Sequence, residues 1–253
     1  TGVSKGVMLT HGNLSKHTKQ LRAWLPQFED GKEVMLGALP FFHVFGLTVC
    51  MNFSILMGWE NVIVAKPQAC NLINAITRQR PTFAPLVPTM YINILKHPGV
   101  EKADMTSIRA CFSGSAPMPV EVIKEFEAKT GSVIIEGYGL TEATCLVSCN
   151  PTDGIKKIGS IGIPFPYTDV KILVDTPNGP VDAKVDEVGE ICISNPGVFV
   201  GHTYTEEDKN RDLFYGKYLR TGDLGRIDAD GYVWITGRAK DLIIRGGHNI
   251  DPA

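Results

Sequence analysis

Ile108-Arg109-Ala110-Cys111-Phe112-Ser113-Gly114-Ser115-Ala116-Pro117 is a largely apolar run that breaks at a glycine and turns through small residues. Pro119 follows at a position suited to the first turn of a helix. Val122, Ile123 and Phe126 then supply its inward face, and Gly131 its stop. Val133-Ile134-Ile135 opens a second apolar run that leads into Glu136-Gly137-Tyr138-Gly139-Leu140-Thr141-Glu142. Strand, helix and strand at this spacing predict two parallel strands joined by a helical crossover and covered on both faces.

The same alternation extends upstream. Thr10 or Asn13 can cap a helix running towards Trp24, with Leu14, Leu21 and Leu25 near helical spacing. Residues 34–39 read as a short strand ended by Pro40, 44–57 as a buried helix and 61–65 as a buried strand. A helix over 72–78 leads to a strand over 82–86 edged by prolines, and 89–96 is the next helix. After about residue 150 the helical period disappears. Short alternating runs such as 170–174 and 190–193 are separated by Gly, Pro, Asn and Asp, and Asp228-Ala229-Asp230-Gly231 suits a hairpin turn. The predicted fold is therefore α/β: a parallel sheet layer with flanking helices over 1–150, followed by a smaller antiparallel, β-barrel-like subdomain over 151–240.

The chain of 253 residues carries 25 Lys+Arg against 27 Asp+Glu, a formal charge of −2, with 43% apolar and 21% charged residues. A balance so near zero argues against neutralising nucleic-acid phosphates, which takes a basic face. The longest apolar stretch, 44–59, is interrupted by Thr48, Asn52 and Ser54 and is too short to span a bilayer. Six cysteines with no CxxC pair read as core thiols of a reducing compartment. No signal-peptide pattern opens the sequence, and a cytoplasmic setting is expected. Thr1 is not a translated start, and the turn formers over 246–253 close no element, so a piece of a longer chain is expected.

Several segments could do chemistry. Thr1-Gly2-Val3-Ser4-Lys5-Gly6 offers a hydroxyl, glycines that let backbone amides approach phosphate, and a point charge; taken alone, it reads as a surface turn. In the stretch 136–142 a dinucleotide fingerprint GxGxxG fails because its third glycine would fall on Glu142. Thr141 and Glu142 suit Mg²⁺ on a nucleotide, since that ion takes one or two carboxylates plus phosphate oxygens, and Tyr138 offers a flat face to a purine. A glycine-rich turn with a solvated glutamate is the alternative. The turn over 113–117 also follows a strand, and ligands gather at the carboxyl ends of parallel strands. Asp223, in Thr221-Gly222-Asp223, could accept from ribose hydroxyls, with Arg238 nearby in Gly237-Arg238; both also fit a surface ion pair. His43 stands between Phe42 and Val44 and reads either as a site residue or as a half-buried core histidine.

Taken together, these segments resemble the adenylate-forming superfamily of acyl-CoA synthetases, peptide-synthetase adenylation domains and luciferases. Residues 1–6 look like the tail of the family's phosphate loop, with Ser4 where proline is usual. Leu39-Pro40-Phe41-Phe42-His43-Val44-Phe45-Gly46 resembles the acyl-pocket segment, 113–117 and 136–141 the adenine-contacting segments, and Gly222-Asp223 with Gly237-Arg238 the ribose contacts. The resemblance implies catalytic roles for Lys5, Thr141 and Glu142, the last as magnesium ligand. It implies nucleotide contacts at Thr1, Gly2, Ser115, Ala116, Pro117, Glu136, Gly137, Tyr138, Gly139, Leu140, Thr141, Asp223 and Arg238. It further implies acid-substrate contacts at His43, Val44, Thr89, Gly114 and Gly137, and a hinge at Asp241, with 241–253 leading towards a further domain.

The implied activity is ATP- and Mg²⁺-dependent conversion of a carboxylic acid to acyl-adenylate and then, with coenzyme A, to acyl-CoA. The family's chain is about twice this length, so the fragment alone is expected to be inactive. Amino-acid adenylation domains usually carry an aspartate early in the pocket segment; none stands in 41–46, and apolar Val44, Phe45, Met90 and Tyr91 suit an aliphatic or aryl tail. A simple carboxylic acid is therefore favoured, and 139–142 with 147–151 look most like fatty-acyl-CoA synthetases, a resemblance that implies a fatty acid. Loading of an amino or aryl acid onto a carrier-protein thiol, or a non-catalytic nucleotide-binding relative, are the rival readings. Nucleic acid and a transmembrane segment are not expected; peripheral membrane contact stays open.

Overall fold

The computed structural model describes residues 5–198 and 203–238, with the backbone of 243–245 and 248–250. Five parallel strands form most of the first sheet: β1 (Val34–Gly37), β2 (Glu60–Ile63), β3 (Phe83–Leu86), β4 (Ala110–Ser113) and the first half of β5 (Val133–Leu140), in the order β2-β1-β3-β4-β5. Alternation along each strand divides the core in two. Met35, Phe83, Phe112 and Ile135 enter one cluster, while Leu36, Ala84, Cys111 and Ile134 enter the other. The first face is covered by α1 (His11–Trp24) and by a π-helix over Gly46–Asn52 that continues as α2 (Phe53–Met57). The second is covered by α3 (Ala69–Gln79), α4 (Pro88–Lys96) and α5 (Val120–Thr130). Thr10 is the N-cap of α1: its Oγ1 accepts from Asn13 N–H at 3.0 Å, and Asn13 Oδ1 returns the contact to Thr10 N–H.

Two expectations are corrected. The strand expected to be buried at 61–65 is the outermost one, and its Ile63 is 64% exposed. The chain returns from β2 to place β3 on the far side of β1, a choice of order that apolar composition does not specify. The strand expected to stop at Ile135 runs on to Leu140. Residues 133–136 pair in parallel with β4, after which Gly137–Leu140 pair antiparallel with β6 (Cys145–Cys149), through an irregularity between Tyr138 and Gly139. β7 (Ile163–Pro164) closes this sheet.

The second sheet is antiparallel throughout. It runs β11 (Phe214–Tyr215), β12 (Tyr218–Ile227), β10 (Gly189–Ser194), β8 (Asp169–Val174) and β9 (Val181–Asp182), with β13 (Val233–Arg238) on the free side of β12. The β12–β13 hairpin turns at the expected residues, with Gly231 at φ +83° and Asp228 N–H donating to the Tyr232 carbonyl at 2.9 Å. A third cluster joins Tyr138 and Val147 of the first sheet to Ile172, Ile191, Ile193, Leu219 and Val233 of the second. All six cysteines are free thiols. Burial pushes Cys50 and Cys111 up to about 12, so these thiols stay protonated. Among the described residues no helix is long and apolar enough to cross a membrane.

His17, fully buried in α1, ties three segments together. Its Nε2 accepts the Leu146 N–H of β6 at 3.0 Å, its Nδ1 faces Gln20 Oε1 at 3.1 Å, and Gln20 Nε2 donates to the Pro166 carbonyl. An Nε2 that accepts carries no proton. Burial lowers this histidine from 6.5 to about 4, against the raising effect of Gln20. The folded state thus keeps His17 neutral at a pH where the unfolded chain already takes up a proton. Its stabilisation is fully present above 6.5 and is lost as pH falls towards 4, by about 3 kcal/mol in all. Urea unfolding of the wild type and His17→Gln at pH 7.5, 5.5 and 4.5 should show the difference between them shrinking by that amount. A difference independent of pH would rule out the neutral, accepting imidazole.

Candidate functional site

Leu86, Ser113 and Glu136 stand side by side at one rim, where the parallel pairing of β3, β4 and β5 ends. Ser113 ends the strand with its hydroxyl buried and without a hydrogen-bond partner, Gly114 is buried, and Ser115 turns the chain away at φ +69°. The aromatic ring of Phe45 lies so close to Gly114 that a Cβ there would stand 3.2 Å from it. Here the pocket segment over 40–46 meets the end of β4. His43 caps the following helical run, its Nδ1 accepting from Phe45 N–H at 3.2 Å, and Val44 is buried beside it. Thr89 is exposed on the first turn of α4. Tyr91 does not belong with them. It is fully buried in the opposite cluster, edge-on to Phe126, with its hydroxyl on the Phe112 carbonyl at 2.8 Å.

Beyond its change of partner, β5 carries the richest set of polar groups. Gly139 is required there: a Cβ would stand 1.6 Å from the Cys145 carbonyl oxygen. Thr141–Ala143 form a single 3-10 turn, closed by Thr144 at φ +69°. Thr144 Oγ1 donates to the Gly197 carbonyl, and Thr48 Oγ1 donates to the Thr144 carbonyl at 3.1 Å, so the turn is held from both sides. On it Thr141 is exposed and Glu142 half-exposed, and Glu142 Oε1 accepts from the Tyr204 hydroxyl at 2.5 Å. Lys5 Nζ lies 5.6 Å from the centre of the Tyr204 ring. Burial and the Glu142 carboxylate push the Tyr204 phenol well up.

A second polar group lies between the sheets. Asp223, 4% exposed, sits on β12 directly opposite Arg238 of β13, with Arg238 Nε 2.7 Å from its Oδ1. The Tyr138 hydroxyl donates to its Oδ2. Burial raises the Asp223 carboxyl; Tyr138 and Arg238 oppose that rise, and the carboxylates of Glu142 and Glu190 add to it. Tyr138, expected to offer a face to a purine, is 8% exposed and spends its hydroxyl on Asp223. Glu136 turns its Oε2 to the Gly159 N–H at 2.9 Å, and burial raises its carboxyl.

The donors on the 141–142 turn suit a hard cation. Among the described residues no group of three or more His, Cys, Asp or Glu could hold a metal. A lone carboxylate beside a hydroxyl matches Mg²⁺ carried in on phosphates rather than a protein-only cage.

The model of the family described as AMP-binding enzyme matches residues 1–203. The chain belongs to that family. A long-chain-fatty-acid–CoA ligase of Bacillus subtilis is 42% identical over 252 residues, covering all of this chain and 44% of the relative. The ATP-bound crystal structure of MatB from Rhodopseudomonas palustris superposes at TM-score 0.86 and 33% identity, over 100% of this chain and 49% of that one. O-succinylbenzoate coenzyme A synthetase from Bacillus subtilis, in complex with ATP and magnesium, gives 0.82 and 30%, over 100% and 51%. The chain spans about half the length of the relatives it matches.

The fold brings the end of β4 to Phe45, and Tyr138 to Asp223 and Arg238. Lys5 stands over Tyr204, which bonds Glu142. Thr1, Gly2 and Asp241 lie outside the described residues. Sequence reasoning missed Tyr204 altogether, because no spacing links a tyrosine after residue 200 to a glutamate at 142. The paired polar groups also carry stability. Asp223→Ala leaves the Tyr138 hydroxyl buried without its acceptor and Arg238 without its counter-charge, and should cost about 2 kcal/mol, against about 1 kcal/mol for Tyr138→Phe. Urea unfolding tests both, and wild-type stability in both variants would show that the network contributes nothing.

Proposed function

We propose that this chain carries the nucleotide- and acid-binding part of an acid–thiol ligase. The enzyme would use ATP to convert a carboxylic acid, a fatty acid by preference, to its adenylate and then to the coenzyme A thioester. The observation that carries this reading is the path of β5. One strand delivers Tyr138 to Asp223 and Arg238, and the turn that follows it presents Glu142 to the Tyr204 hydroxyl, with its carboxylate near enough to raise the Asp223 carboxyl.

In the first step a carboxylate oxygen of the acid attacks the α-phosphorus of ATP. The bond to the bridging oxygen breaks, and pyrophosphate leaves with the electron pair. In the second, the coenzyme A sulfur attacks the acyl carbon, AMP departs with the acyl–oxygen electron pair, and the thiol proton passes to solvent. Asp223, fixed by Arg238 and Tyr138, keeps lone pairs with which to accept from ribose hydroxyls. The Ser115 turn and Gly137 offer backbone groups to the base, and Lys5 offers a point charge to the phosphates. Mg²⁺ held at Glu142, with Thr141 beside it, would supply charge neutralisation for the departing pyrophosphate.

A fatty acid is favoured by the name of the Bacillus subtilis relative and by the 40–46 segment, which carries no acid to pair an ammonium. Coenzyme A as acceptor is favoured by the same name. A cytoplasmic setting fits six unpaired cysteines.

Glu142→Gln tests the central assignment. The amide oxygen can still accept from the Tyr204 hydroxyl, so the turn should hold and Tm should stay at the wild-type value. Acid-dependent ATP–pyrophosphate exchange by the full-length protein should fall about a hundred- to a thousand-fold. Near-normal exchange would remove Glu142 from the reaction. Exchange with amino acids in place of fatty acids would overturn the substrate class.

A further inference from the structure

The reaction scheme above makes no use of Tyr204, yet this residue is held through both its backbone and its side chain. Asn210 bonds it on both sides: Oδ1 accepts the Tyr204 N–H and Nδ2 donates to the Tyr204 carbonyl, each at 2.8 Å. Val7 pairs with it as an isolated antiparallel bridge, flanked by Met8 N–H to the Thr203 carbonyl and Thr205 N–H to the Gly6 carbonyl, both at 2.9 Å. With its backbone fixed, the side chain lies between two groups of opposite charge. Its hydroxyl donates to Glu142 Oε1 at 2.5 Å, the short distance of a charge-assisted bond, and its ring lies under the Lys5 ammonium at 5.6 Å. Glu142 sits half-exposed on a single-turn element whose own hydrogen bonds leave the side chain free to rotate. The phenol removes that freedom. It uses one lone pair of one oxygen and leaves the rest of the carboxylate able to meet a cation.

Resting on the reading of Glu142 as the magnesium-bearing carboxylate, we propose that Tyr204 is a positioning residue, whose hydroxyl holds that carboxylate in the orientation in which it receives Mg²⁺·ATP. Hydrogen bonds of this kind behind a metal ligand set its orientation, and their loss typically weakens metal binding about ten- to a hundred-fold. The phenol makes no contact with the reacting atoms in this scheme; it acts through Glu142.

Tyr204→Phe keeps the ring under Lys5 and removes only the donor. In the full-length protein, binding of α,β-methylene-ATP is measured by calorimetry, once with Mg²⁺ and once with EDTA, for the wild type, Tyr204→Phe and Glu142→Gln. The proposal expects Tyr204→Phe to bind the analogue about ten-fold more weakly in Mg²⁺ and within two-fold of wild type in EDTA. Unchanged affinity in Mg²⁺, or an equal loss in both buffers, would overturn it and leave Tyr204 as a support of its loop, provided Glu142→Gln loses its Mg²⁺-dependent binding. If Glu142→Gln also keeps wild-type binding in Mg²⁺, the assignment of Glu142 fails, and the role of Tyr204 fails with it.

Discussion

The structure depends on one change of partner. β5 runs parallel to β4 as far as Glu136 and antiparallel to β6 from Gly137, and the second pairing closes only because residue 139 lacks a Cβ. A side chain there would overlap the Cys145 carbonyl, a collision with backbone that no rotamer relieves. Because the strand continues instead of turning, it leaves the first sheet's core and reaches the second sheet. Tyr138 becomes a member of the cluster between the two, and Glu142 is carried to the Tyr204 hydroxyl.

Around that strand, stability and site geometry draw on the same bonds. Segments remote in sequence converge on the 141–144 turn: Thr48 from the π-helix, Gly197 after β10, and Tyr204, which is itself stitched to residues 6–8. Asn13 of α1 donates to the Pro196 carbonyl at 2.9 Å and anchors the same loop from the other side. His17 and Gln20 do likewise for β6 and the Pro166 turn. Most of these donors are buried or half-buried, so each leaves an orphaned polar group if its partner is lost, and that penalty fixes the segments in one arrangement. A carboxylate such as Glu142 is thus presented from a rigid support although it stands on a single-turn element.

The buried Asp223 shows the same economy. A carboxylate taken from water between two sheets is unfavourable unless its oxygens are met, and here a guanidinium and a phenol meet them from two different strands. The register that places Asp223 opposite Arg238 follows an irregularity between Leu224 and Gly225. Without that offset of one residue the two charges would fall on opposite faces of the hairpin.

Much of the fold was legible in the chain itself. Continuous apolar runs and period-3.6 patterns mark the alternating strands and helices up to residue 140, because an interior parallel strand is covered on both faces. The loss of helical period after 150 marks the antiparallel sheet, and Gly231 marks its hairpin. The small residues at 113–117 were legible as a strand end, because a backbone that turns close against the Phe45 ring has little room for a side chain at Gly114. Three things were decided only in three dimensions. Strand order put β2 at the edge, since composition does not say which strand has two neighbours. The length of β5 was hidden, since glycines that look like a turn were there to admit β6. The contacts of Glu142 with Tyr204, and of Tyr138 with Asp223, join residues more than sixty positions apart. No local pattern encodes them, because the distance between those side chains is set by how two sheets pack, and that packing is fixed by the apolar cluster they share.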